Sequence, residues 1–379
     1  MDTASSQTGR SPATGVGTGV PDDLPEQLQA GSSRRRIVTL AAIGVVTALL
    51  ISTLPGLSDV RQRFADANPG WLVAMVALEV ASCLAYVVAF RSIFCSRLSW
   101  RFSYQVGLAE QATNVLVPAG GVGGLALGAW VLRQGGMGTE RIAHRSVAFF
   151  VITSAPNFIC AAVAGLLLAG GVLPGAGPLA LTLPLALLAC AAILTVATLP
   201  WILERVGVMG GAPRTAATRR ERAADLLRRG ILSAAEGVRD ARQLLRTRQG
   251  GVIFGAVGYM AFDVAALAAA FAALGSVPPI GAFLFAYVIG QLGGLIPLPG
   301  GIGGTDGGLI GALTLYGSPL AQSTAAVLAY RSMQLGIPAV LGSIAFIQLR
   351  RTLARGGAPA ALCEPFPGGL PVVQLPARA

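Results

Sequence analysis

Five ionisable residues stand inside long apolar stretches of this chain: Glu79, Glu110, Asp263, Asp306 and Arg331. A charge held in hydrocarbon costs about 2.5–3.5 kcal/mol even on the lenient insertion scale, so each of these marks a place where polarity is kept for a reason. Arg331 says most, because a guanidinium does not shed its proton and must meet an acid, a carbonyl, water or an anionic ligand. Asp263 and Asp306 are its candidate partners. Two readings stand side by side. In one, Arg331 makes a buried structural ion pair; in the other, it lines a polar cavity that receives a phosphate or another anionic head group. Gln111 and Asn114 share a helical face with Glu110. Gln291, Tyr330 and Gln334 add further hydrogen-bonding groups, with Gln334 one turn from Arg331. These side chains either contact a head group or tie helices together.

Two glycine-rich breaks accompany the charges. One contains Gly120 and Gly121 after Pro118, and the other contains Gly300 and Gly301 after Pro297 and Pro299. A helix that restarts beyond such a break aims free N–H groups and the positive end of its dipole at whatever lies in front, which suits an anion. Neither break is a P-loop, since G-K-[ST] is absent, and neither is a dinucleotide fingerprint, since no strand precedes it. His144 is the only histidine, which disfavours a histidine metal cluster or a Ser/His/Asp triad. The five cysteines form no C-x-x-C pair and are read as neither a disulfide framework nor a zinc site. No catalytic residue, metal or cofactor is expected.

The elements that must position these groups are membrane helices. Of the 379 residues, 54% are hydrophobic and 12% charged, about half the charged share of a soluble domain. Six runs, at residues 37–54, 71–90, 146–169, 179–203, 251–274 and 320–348, are long enough to cross a bilayer. Two more, at 102–132 and 281–316, are broken by the Pro/Gly segments. Each reads as a re-entrant hairpin of two short helices, tolerated at that depth only where protein or a water-filled cavity covers the exposed backbone. The expectation is an all-α polytopic membrane protein with about six full spans plus two re-entrant helical hairpins, eight hydrophobic segments in all.

Every basic residue is arginine, and all but Arg61, Arg63 and Arg331 fall in segments that this topology puts on one side. The positive-inside rule makes that side cytoplasmic, with both termini there, in the cell membrane. Residues 1–33 form a disordered cytoplasmic tail, 34–351 the membrane domain and 352–379 a C-terminal cytoplasmic tail. The loop 204–250 has helical apolar spacing and many arginines, which predicts an amphipathic helix on the anionic inner leaflet and not a nucleic-acid partner. A shift of 180 residues lays Gln111 on Gln291, Gly120 and Gly121 on Gly300 and Gly301, and span 71–90 on 251–270. Residues 71–170 and 251–348 thus read as an inverted repeat, with the site at the repeat interface.

At these residues the sequence resembles the lysylphosphatidylglycerol synthase transmembrane-region family of flippase-like membrane proteins. The resemblance rests on Asn114-x-x-x-Pro118 followed by glycines, on Pro299-Gly300-Gly301-Ile302-Gly303-Gly304-Thr305-Asp306, and on Tyr330-Arg331 followed by Pro338. It spans roughly residues 37–351. Family members often carry an Arg and a Glu after the first proline, where this chain has Ala119, Gly120 and Gly121, and a Glu at the place of Asp306. The resemblance implies movement of an aminoacylated phospholipid between leaflets, with aminoacyl transfer belonging to a separate soluble domain that this chain is not expected to contain.

The expected function is therefore translocation of an anionic or amino-acid-modified phospholipid, or a lipid-linked head group, through a midplane polar cavity. Membrane lipids, anionic phospholipid above all, are the expected partners, with a homo-oligomer as a further option. Two alternatives remain open: a secondary transporter of a small anionic solute, and a non-transporting membrane scaffold.

Overall fold

The computed structural model describes residues 62, 65–117, 122–174, 177–205, 219–247, 250–295, 301–355 and 363. Expectations for residues 1–33, for the span at 37–54, for Gly120, Gly121 and Gly300, and for most of the C-terminal tail lie outside the described residues. Among the described residues there are ten α-helices: α1 Pro69–Phe94, α2 Trp100–Leu116, α3 Val122–Gln134, α4 Thr139–Ala169, α5 Leu179–Arg205, α6 Arg219–Arg246, α7 Gly250–Leu274, α8 Ile280–Leu292, α9 Gly304–Leu315 and α10 Leu320–Ala354. A 3-10 turn, Gly293–Leu295, follows α8.

Five of these helices, α1, α4, α5, α7 and α10, are long and apolar enough to cross a membrane. They coincide with the five expected spans that fall on described residues, α1, α4 and α10 running several residues further and α5 and α7 ending within two residues of the expected bounds. The protein is an all-α, polytopic membrane protein. The two broken stretches appear as the short pairs α2/α3 and α8/α9, the members of each pair packed on one another.

Local chemistry explains where the elements begin. Asn68 caps α1, its side chain accepting the Gly70 N–H at 2.9 Å, with Pro69 in the first turn. Ser99 caps α2 by accepting from Phe102 N–H at 3.2 Å. Between them the turn is pinned by Arg91, which donates to Leu98 C=O at 2.8 Å and stacks on the Trp100 ring at 4.4 Å.

Small residues set the helix crossings. The most extensive interface joins α1 to α7. They run antiparallel: Asn68 N–H donates to Ala273 C=O, the Ser82 hydroxyl donates to Tyr259 C=O, and Gly255 lies against Ala89. A Cβ at Gly255 would stand 2.5 Å from the Ala89 nitrogen, so only glycine admits this approach. At the α2–α10 crossing Gly342 faces the Leu108 carbonyl, and at the α4–α8 crossing Gly165 faces the Phe285 ring. Two buried clusters fill the two ends of the bundle. One holds Phe90, Phe94, Leu98, Phe102 and Phe149; the other holds Met75, Leu267, Phe271, Phe283 and Leu313.

One expectation is narrowed and one corrected. Of the described side chains of α6, the helix expected on the inner leaflet, Ala235, Val238, Ala241 and Leu244 are buried where it packs on α4 and α5, while Ile231 and Leu245 are exposed. Periodicity identified the apolar face but not what would cover it. Cys95 and Cys363, 268 residues apart and with their α-carbons separated by 5.9 Å, are joined as a disulfide. Spacing along the chain carries no information about that pairing, because the fold alone brings the tail to the end of α1.

Candidate functional site

The central charges assemble where α1, α7, α8, α9 and α10 meet. Asp263, on α7, is buried and accepts from the Tyr287 hydroxyl at 2.5 Å and the Tyr330 hydroxyl at 2.8 Å. The Gln334 amide donates to both of its oxygens at 3.1 Å and also to the Tyr330 hydroxyl. From α1, the buried Glu79 carboxyl lies beside Asp263. The second Glu79 oxygen is buried without a hydrogen-bond partner.

Arg331 borders this cluster. Its Nε donates to Asp306 at 2.6 Å, and its Nη1 donates to the Gln334 side-chain oxygen. Gln334 therefore bridges the Arg331–Asp306 pair to Asp263, with its carbonyl toward the cation and its amide toward the carboxylate. The pair is not uniformly enclosed: the Arg331 side chain is 8% exposed and the Asp306 side chain 21%. The exposed flank of α9 beside Asp306 consists of Gly303, Gly307 and Gly311, each with open space where a Cβ would stand. Spaced four apart, these residues lie on one face of the helix.

The start of α9 also shows how the second glycine break is used. Gly303 has φ +87°, a conformation natural to glycine, and its N–H donates to Asp306 at 2.8 Å. Asp306 thus serves as both the capping acid of α9 and the counter-ion of Arg331. At the first break the amide of Gly124 donates to Asn114 Oδ1 at 2.8 Å. These two amides, expected to face a ligand, are each taken by a side chain of the protein itself. Gly301, buried with φ +67°, lies against the Thr305 hydroxyl.

Glu110, Gln111 and Asn114 form a second, separate cluster on α2. Glu110 is fully buried and accepts from the Tyr86 hydroxyl at 2.9 Å, while its other oxygen has no hydrogen-bond partner. It fills a notch at Gly128, where a Cβ would stand 1.5 Å from Glu110 Oε1. Gln111 donates to the Cys83 carbonyl at 3.3 Å, tying α2 to α1. Gln291 joins neither cluster and keeps a buried side-chain nitrogen without a partner.

The structure thus unites Glu79, Asp263, Asp306, Tyr330, Arg331 and Gln334, and sets Glu110, Gln111 and Asn114 apart. Sequence reasoning missed Tyr287 and Tyr86. The available signal was a tyrosine inside an apolar run, whose buried hydroxyl needs an acceptor.

Comparison with curated proteins gives no match. The family model described as "Lysylphosphatidylglycerol synthase TM region" matches residues 38–342, taking in all five long apolar helices in whole or in large part, both short pairs and every residue of the two clusters. That model is of a transmembrane region, and no catalytic activity comes with it. The chain belongs to the lysylphosphatidylglycerol synthase transmembrane-region family of flippase-like membrane proteins.

Proposed function

We propose that this protein moves the head group of an anionic or amino-acid-modified phospholipid across the bilayer, through the polar cluster around Arg331, while the acyl chains stay in lipid. The observation that carries the reading is the cluster itself. An arginine, two aspartates and a glutamate are kept among apolar helices, with one flank of the Arg331–Asp306 pair lined by open glycines. A purely structural ion pair gains nothing from an open flank, whereas a head group needs one. In this reading an entering phosphate competes with Asp306 for Arg331, and Gln334 passes the change to Asp263 and Glu79. The carboxyl pair is then the group on which a proton gradient acts.

The two halves are read as an inverted repeat. In support, α1, α2, α3 and α4 begin at residues 69, 100, 122 and 139, and α7, α8, α9 and α10 at 250, 280, 304 and 320, a nearly constant offset. The equivalent helices α1 and α7 pack antiparallel, and each half lays its last helix on the other half's first short helix, α4 on α8 and α10 on α2. Swapped contacts of this kind are what a two-fold axis in the membrane plane produces. In this proposal α2/α3 and α8/α9 are re-entrant hairpins, and the arginine-rich face is cytoplasmic.

The test uses purified protein in liposomes containing fluorescent phosphatidylglycerol, with an external quencher, with and without an imposed proton gradient. Accelerated exposure of the inner-leaflet pool, abolished by Arg331→Ala, is expected. Rates equal to those of empty liposomes, across several head groups and both gradients, would overturn the proposal.

A further inference from the structure

At the arginine-rich end of the bundle lies a cavity of about 290 Å³ that the central site does not involve. It is lined by Ser92, Cys95, Ser96, Arg97, Arg141 and Arg145, together with Leu244 of α6 and Cys363. Arg141 and Arg145 occupy the first two turns of α4, four residues apart and so on one face. Two cations side by side at the positive end of a helix dipole repel one another and the dipole alike. An acid in the pocket would relieve this, but among the described residues the acids do so only in part. Asp240 pairs with Arg145 Nε at 3.3 Å, and Glu140 in the first turn of α4 is exposed. Arg145 is further held by donating Nη1 to the Ile93 carbonyl at 3.1 Å. Arg141 Nε, by contrast, is buried without a hydrogen-bond partner. A guanidinium N–H out of water needs an acceptor.

We infer that this cavity is a binding site for a phosphate group, held by Arg141 with Arg145 and by the Ser92 and Ser96 hydroxyls. The chemistry fits: arginine forks match phosphate oxygens, serine hydroxyls donate to the oxygens the forks leave, and the end of α4 adds its dipole. The volume sits at the lower edge of ligand pockets, roughly 300–1,000 Å³, and so suits a phosphate-sized group better than a nucleotide. The shared chemistry of a phospholipid head group and a free phosphate is what the site reads. The binding needs no transport, so it stands or falls separately from the proposed function.

The experiment titrates the full chain, in an uncharged detergent, with dihexanoyl phosphatidic acid in one arm and inorganic phosphate in the other, by calorimetry. Saturable binding is expected in wild type and in Arg350→Gln, an exposed arginine of α10 that does not line the cavity. Loss of one charge-assisted contact in Arg141→Gln should weaken it roughly tenfold or more. Ser96→Leu, which narrows the mouth without removing charge, should weaken it as well, and gives the answer should Arg141→Gln not fold. Binding of the lipid alone assigns the phosphate to a head group; equal binding of inorganic phosphate assigns it to a soluble anion. The inference is overturned by no saturable binding of either probe to wild type, or by undiminished binding to the folded variants.

Discussion

Separating the two roles of Arg331 requires breaking its ion pair in a way that distinguishes stability from transport. Arg331→Gln leaves the Asp306 carboxylate with the Gly303 N–H as its remaining partner among those described. Removing one member of a buried pair costs about 3–5 kcal/mol, most of it from the charge left behind. Asp306 is 21% exposed, so water screens part of that charge and the expected loss falls to about 2–3 kcal/mol. Asp306→Asn removes the direct counter-ion of the guanidinium instead, with Gln334 still accepting from Arg331, and should cost a similar amount. In the double variant neither charge is stranded and the two side chains still hydrogen-bond. It should recover about 1–2 kcal/mol relative to the sum of the singles, a coupling within the range for residues in direct contact. Unfolding of the detergent-solubilised protein measures the cycle, and the liposome assay measures lipid exposure for the same four proteins. Recovery of stability without recovery of transport is the expected pattern, because the neutral pair holds the helices together but offers no cation to a head group. A double variant that moves lipid at the wild-type rate would refute a role for Arg331 beyond structure.

Further perturbations follow from contacts already described. Gly128→Ala drives a methyl into Glu110 Oε1 and should cost about 2–4 kcal/mol through overpacking and the lost Tyr86 hydrogen bond, with partial rescue by Glu110→Ala in the same chain; a Gly128→Ala protein as stable as wild type would refute the notch. Asn114→Ala removes the acceptor for the Gly124 amide at the start of α3 and should cost about 1 kcal/mol, a loss that Asn114→Asp should avoid. Gly255→Val should separate α1 from α7 and destabilise by about 2–3 kcal/mol, the upper range for overpacking, with unfolding midpoint as the readout. Peptide mapping without reductant should recover Cys95 linked to Cys363 in air-oxidised protein, and free thiols in cells alkylated before lysis, since a reducing cytosol opposes disulfides. Linkage captured in whole cells would count against a cytoplasmic arginine-rich face.

The spans on described residues were legible because each apolar run is at least as long as the roughly 20 residues the bilayer needs and is flanked by arginine or by Gly/Pro. Runs 251–274 and 179–203 became α7 and α5 with their ends moved by no more than two residues. The buried charges were legible for the opposite reason: a charge in hydrocarbon stands out against its surroundings whatever the fold. What each charge touches was not legible. Arg331 had Asp263 and Asp306 as candidates, and the direct ion pair went to Asp306, with Gln334 bridging to Asp263. Glu110, which spacing groups with the central charges, lies instead in the notch at Gly128, because which helix crosses α2 depends on glycines distant in the chain. The same holds for the apolar face of α6, whose periodicity says nothing of its cover, and for Cys363, brought to Cys95 across 268 residues. Local hydrophobicity determined by itself that this chain is a bundle of membrane helices with charges at its centre. Helix crossings set by small residues far apart in sequence decided which of those charges meet, since partner choice in hydrocarbon follows close backbone approach and hydrogen bonding more than apolar pattern.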